Sequence, residues 1–176
     1  DSCSEEGRRG LSEPTPPATL AHGRERTALL ALLIAALPLH LSAMVVPVLQ
    51  TDFTPSRGNA LQACVASALE LPLDTVPNFI AEPDPYVSLR TFLRGKGLGF
   101  MKVETKDGSL PFAVCEPDAH TVCVLAGPSP RGAHKHCVVG TASGTQLSCT
   151  ADPHPDGSML AGPPVWAGFF VALDPK

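Results

Sequence analysis

The chain is short of the residues that build large aromatic cores and charged interfaces. Its 176 residues hold one Trp, one Tyr and seven Phe. With 19 Pro and 15 Gly to interrupt helices, a helical bundle is excluded. Basic excess is absent too. Net charge is −4, and from Thr51 onward 9 Lys and Arg stand against 12 Asp and Glu. No face is then available to neutralise a run of phosphates, so nucleic acid is not an expected partner. The six cysteines, Cys3, Cys64, Cys115, Cys123, Cys137 and Cys149, form no CxxC pair, and structural zinc is not expected. The group HKHC at 134–137 with His154 is no better, because on a strand His134 and His136 share one face and Cys137 takes the other. A glycine-rich phosphate loop, an internal repeat and a sustained heptad are all missing, so no cofactor is expected.

Charge is missing altogether between Thr27 and Leu49, where TALLALLIAALPLHLSAMVVPVL runs for 23 residues. About 20 apolar residues suffice to cross the ~30 Å hydrocarbon layer, so residues 27–49 are expected to form a transmembrane helix lying in the lipid bilayer. Pro38 and Pro47 would kink and end it. An uncleaved export signal and a buried core helix are the competing readings of the same run. Arg24 and Arg26 precede it and the next basic residue is Arg57, which places the N-terminus on the cytoplasmic or stromal side and the domain on the exported or lumenal side. Residues 1–26, with Pro14, Pro16 and Pro17 and near-balanced charge, read as an irregular polar tail. A chain that opens on Asp1 is expected to be a fragment or a processed product.

The remainder, residues 50–176, has the length of one compact domain. Leu61, Cys64, Val65, Ala68 and Leu69 follow helical spacing across Asn59 to Glu70, closed by Pro72. LDTVPNFI reads as a short turn, and Val87 to Lys96 as a second helix stopped by Gly97. Five short runs follow at 99–105, 120–127, 136–142, 145–151 and 165–173, each bounded by turn residues and each expected as a strand. Helices followed by antiparallel strands make an α+β domain. Cys137 and Cys149 are equidistant from Ser143, so a symmetric hairpin would set them face to face, as a disulfide or as two buried thiols. Cys115 and Cys123 are likewise symmetric about Ala119.

A cysteine nucleophile needs a thiolate of low pKa, supplied by a helix N-terminus and a nearby imidazole, and a side chain that orients the imidazole. His136 opens the strand HCVVG, and Asp152 follows the next strand in ADPHP. GNALQACVASALELPLDTVPNF, AGPSPRGAHKHCVVG, ADPHPDGSML and VWAGFFVALDP together resemble the papain-like cysteine peptidase superfamily. They are similar to the domain that trims leader peptides at bacteriocin ABC exporters and to its small bacterial relatives. The resemblance implies a papain-like domain in which a helix packs on an antiparallel sheet. Laid onto GNALQAC, it implies a nucleophile position at Ala60, a second, non-catalytic cysteine at Cys64, a base at His136, an orienting acid at Asp152 and an oxyanion-hole amide at Gln50.

A methyl group at Ala60 cannot attack a carbonyl. Cys64 lies one turn deeper, about 6 Å along the axis, where catalytic geometry tolerates about 1 Å; it reads as a core thiol and only secondarily as an alternative nucleophile. The expected protein is therefore a membrane-anchored pseudoenzyme. It would serve as an accessory subunit of a larger membrane-embedded complex, an organellar one such as a thylakoid photosystem being of the kind its composition suits. The alternative is a cysteine hydrolase, either one whose nucleophile at position 60 was exchanged by engineering or one that uses Cys64 with His136 and Asp152.

Overall fold

In the computed structural model the described residues are 45–174. The order of elements is α1 (Ala60–Ala68), two 3-10 turns (Leu73–Thr75 and Phe79–Ala81), α2 (Pro85–Arg94), β1 (Leu98–Glu104), β2 (Thr121–Pro128), β3 (Lys135–Ser143), β4 (Gln146–Ala151) and β5 (Trp166–Ala172). The strands form one sheet in the order β1-β5-β2-β3-β4, every neighbouring pair antiparallel.

Helix α1 is built from good helix formers, and Leu61 through Ser67 are all buried. Its small residues Ala63, Ala66 and Ser67 let the chain around it approach closely, so the helix is covered on every side. At its end Glu70 takes a left-handed conformation (φ 53°) and Leu71 N donates back to Ala66 O at 2.8 Å, a closure usually made by glycine. Helix α2 starts two residues before the expected Val87. The Asp84 carboxylate accepts from Tyr86 N and Val87 N, and Pro85 occupies the first turn, where its missing N–H costs nothing.

Alternation along the strands divides the core into two layers. Val124, Ala126, Val139 and Trp166 face the helices and pack with Leu61, Cys64, Val65, Leu89 and Leu93. Cys123, Leu125, Val138, Ala142, Ala167 and Phe169 face the other way, under Leu110, Val114, Met159 and Leu160 of the long connections.

Two expectations are corrected. The first is the membrane helix. Val45 to Leu49, the last residues of the expected span, are not helical. Val45 and Val48 pack on the helix-side core, Val48 N donates to Ser67 Oγ at 2.8 Å and Gln50 N to Pro153 O at 2.9 Å. Val45 and Val48 are half-buried in this way while Val46 and Leu49 stay 79% and 49% exposed, and hydropathy alone does not distinguish such a surface-packed segment from one in lipid. Among the described residues no helix is long and apolar enough to cross a membrane. In place of a papain-like domain behind a transmembrane helix, the structure is a five-stranded antiparallel sheet with two short helices. Residues 27–44 and the polar tail 1–26 lie outside the described residues.

The second correction concerns the hairpin. Ser143 pairs with Gln146, so the turn is Gly144-Thr145, with Gly144 at φ 56°. That centre sets Cys149 opposite Gly140, while Cys137 lies opposite Ala126. Cys137 and Cys149 do not meet, Cys115 lies outside the strands, and all five described cysteines are free thiols.

Candidate functional site: a buried His–Asp pair and an adjoining cleft

Strand β3 delivers His136 near its first residue and the chain leaving β4 delivers Asp152, so neighbouring strand ends bring the two together. His136 Nε2 lies 2.7 Å from Asp152 Oδ1, with side chains 5% and 1% exposed. Asp152 accepts twice more: Oδ1 also takes the His154 N–H at 2.8 Å, and Oδ2 takes the Met159 N–H at 2.7 Å. A carboxylate receiving three donors requires Nε2 of the imidazole to carry its proton. Burial lowers the His136 pKa more than the hydrogen bond and charge of Asp152 raise it, with Arg131 and His154 lowering it further. The ring is therefore neutral at pH 7, protonated on Nε2, with the Nδ1 lone pair left as the base. Nδ1 has no hydrogen-bond partner among the described residues. An orienting carboxylate fixes the tautomer of a catalytic histidine in the same manner, although in the Ser-His-Asp arrangement it holds Nδ1 and leaves Nε2 as the base.

Around the acid, the loop 152–159 is locked by a second carboxylate. Asp156 Oδ1 accepts from Ser158 N at 3.0 Å, from Ser158 Oγ at 2.8 Å and from Arg131 Nη1 at 2.7 Å. The Ser158 amide foremost, joined by its hydroxyl and Arg131, holds the Asp156 carboxyl well below the usual carboxylate range against desolvation, the second-largest effect. Arg131 also stands 3.7 Å from Asp152 Oδ2, too far for a hydrogen bond but close enough to add favourable charge.

Ala60 is the first residue of α1 and is partly buried. Its predecessor Asn59 does not cap the helix. The Asn59 side chain instead accepts from Thr51 N at 2.9 Å and Asp52 N at 2.8 Å, and donates to Gln62 Oε1 at 3.0 Å. Gln62 in turn donates to the Leu73 and Val76 carbonyls. The pair Asn59–Gln62 thus fastens the segment before the helix to the helix itself. Sequence reasoning misses this pair, whose one signal is two polar residues three apart in an otherwise apolar helix.

Cys64 is fully buried. Burial foremost, with Cys137 and Asp152 adding, pushes its thiol well above the ordinary range, so the nucleophilic thiolate is suppressed. Gln50 is 7% exposed; its Nε2 donates to Asp52 O at 3.1 Å, and its backbone N–H ties it to the loop that follows Asp152.

A cleft of about 490 Å³ opens beside these elements. Gly58 and Leu61 on either side of Ala60, Lys135 and Cys137 on either side of His136, and Gln50 and His154 all line it. Ala60, His136 and Asp152 do not, so the dyad stands behind the wall while the cleft follows the seam between helix and strand. Phe53 meets His154 edge to face across this seam, with ring centroids 5.0 Å apart. Among the described residues no cluster of three His, Cys, Asp or Glu is placed to hold a metal ion.

Comparison with protein-family profiles, with curated proteins and with solved structures finds no match to this chain.

Proposed function

We propose that this domain is a non-catalytic binding module, a degenerate relative of the papain-like cysteine peptidases, acting as an accessory subunit of a larger assembly. One observation carries the proposal. A complete, buried His136–Asp152 pair in the tautomer of a general base accompanies a helix whose first residue is Ala60 and whose only cysteine is sealed in the core. In this reading the base and orienting acid of a thiol hydrolase are kept and the attacking atom is not. What remains open to solvent is the cleft along the same seam, and a cleft of this size suits a bound segment or small molecule.

The test is a thiol-directed electrophile on the full chain at neutral pH, read residue by residue by mass spectrometry, beside turnover of blocked peptide substrates. Cys64 is expected to stay unlabelled while the protein is folded, and turnover to stay at the buffer rate. Prompt labelling of Cys64 that is lost in His136→Ala would establish the rival reading, a hydrolase using Cys64.

A further inference from the structure

The lining of the cleft combines an apolar floor with one sign of charge. Leu61, Ile80, Pro85 and Trp166 contribute to it, together with Phe53 and Tyr86, and Phe53, Ile80 and Tyr86 are 54%, 37% and 37% exposed. Large apolar side chains left open along one concavity mark a binding surface more often than scattered ones do. The charged lining residues are Lys102, Arg131 and Lys135, with no Asp or Glu among them, although the chain as a whole is acidic at −4.

Those cations are available in different degrees. Lys135 makes no ion pair among the described residues. Lys102 Nζ pairs with Glu104 at 2.7 Å, but the Glu104 side chain is 69% exposed, and solvent-exposed pairs of this kind hold weakly. The same ammonium lies 5.4 Å from the Tyr86 ring centroid and 5.6 Å from that of Trp166, which sets it at the edge of the apolar floor. Arg131 is anchored by Asp156 and forms a fixed wall.

Spacing decides what kind of anion fits. Lys102 is on β1 and Lys135 on β3, and β5 and β2 lie between these strands. Lys102 lies in register with Val139, so three strand spacings of about 4.8 Å across the sheet and four residues along β3 put their backbones about 19 Å apart, the length of roughly six residues of extended chain. Charges so far apart do not converge on one phosphate; they suit carboxylates carried along a strand. One buried polar atom without a hydrogen-bond partner, Gln50 Oε1, also belongs to a cleft residue. It is an acceptor, the complement of a peptide N–H once a side-chain rotation presents it.

We infer that the cleft takes an extended peptide segment in which an apolar side chain is flanked by acidic ones. The inference rests on the binding-module reading and narrows it to an occupant. Its test is a positional-scanning library of blocked octapeptides applied to the immobilised full chain. Affinities of the selected peptides are then measured for the natural sequence and for the variants Lys102→Glu and Lys135→Glu, each confirmed folded by its melting curve. Asp and Glu are expected to be enriched beside an apolar position, and either charge reversal to weaken binding roughly fivefold. Added salt should weaken it in the same direction. Retained peptides without acidic enrichment, or affinities indifferent to both reversals, would overturn this inference and leave the binding module standing. Retention of no peptide at all would overturn it as well, and the binding module would then be tested on small molecules alone.

Discussion

Removing the carboxylate at position 152 is expected to cost the domain far more than removing any exposed acid. Asp152 accepts from His136 Nε2, His154 N and Met159 N at 2.7, 2.8 and 2.7 Å, and its side chain is 1% exposed. Asp152→Ala leaves the imidazole donor buried without a partner and the two amides only partly able to recover water. At roughly 1–3 kcal/mol for each buried donor, and less for the two amides, the loss is about 4 kcal/mol. For a domain of this length 1 kcal/mol moves the midpoint by about 3–4 °C, so melting should fall by about 12–16 °C. Urea unfolding followed by the fluorescence of Trp166, the single Trp and 5% exposed, gives the free energy directly. Glu116→Ala, on the surface, is the control and should change stability by less than about 0.5 kcal/mol. In the double variant with His136→Ala the two costs should fall short of their sum by about 1 kcal/mol or more, since one deletion removes the group that the other orphans. A loss below about 1 kcal/mol at Asp152→Ala would refute the view that this carboxylate holds the imidazole and the 152–159 loop together.

The lowered pKa of His136 makes stability depend on pH in a definite direction. The unfolded chain binds a proton near pH 6.5 that the folded one resists, so stability is full above that pH and declines as pH falls below it toward the lower folded value; urea midpoints from pH 7.5 to 5.5 should show this decline, and His136→Gln should flatten it. Gly140→Ala is expected to destabilise by about 2–3 kcal/mol, because its Cβ would stand 2.7 Å from the Ser148 carbonyl and on top of Leu125; a normal melting curve would show that β3 and β4 do not pair in this register. Under native conditions Ellman's reagent should react with the exposed Cys149 and leave Cys64 and Cys123 silent, both 0% exposed, until denaturant releases them; burial also pushes the Cys123 thiol up to about 12.

The strands are legible in the sequence because each is a short apolar run closed by turn residues, and the five observed ranges differ from the expected ones by at most one residue at either end. The start of α2 is less so, because the capping carboxylate of Asp84 lies before the apolar pattern begins. Register is not legible. A turn centred on Gly144-Thr145 in place of Ser143 moves Cys149 away from Cys137, and that shift of centre leaves no compositional mark. Val45 and Val48 show a different blind spot, since an uncharged run ending in a core and one ending in lipid look alike until Ser67 and Pro153 are seen to bind the chain beside them. His136 and Asp152 stand out because the chemistry demands a base and an orienting acid at adjacent strand ends. Arg131 gives no sign in the sequence that it fixes the acid's loop, because its partner Asp156 lies 25 residues away.

The central claim is that α1 opens on a vacated nucleophile position, and Ala60→Cys tests it most directly. Alkylation of the variant by iodoacetamide at pH 6, measured with and without His136→Ala, reports the thiolate at position 60 against an ordinary thiol of pKa about 8.5. A cysteine in the first turn of α1 that draws on His136 should react at least about tenfold faster than free cysteine at that pH, and His136→Ala should abolish the gain. An introduced thiol at position 60 that reacts like an ordinary one whether or not His136 is present would contradict the claim.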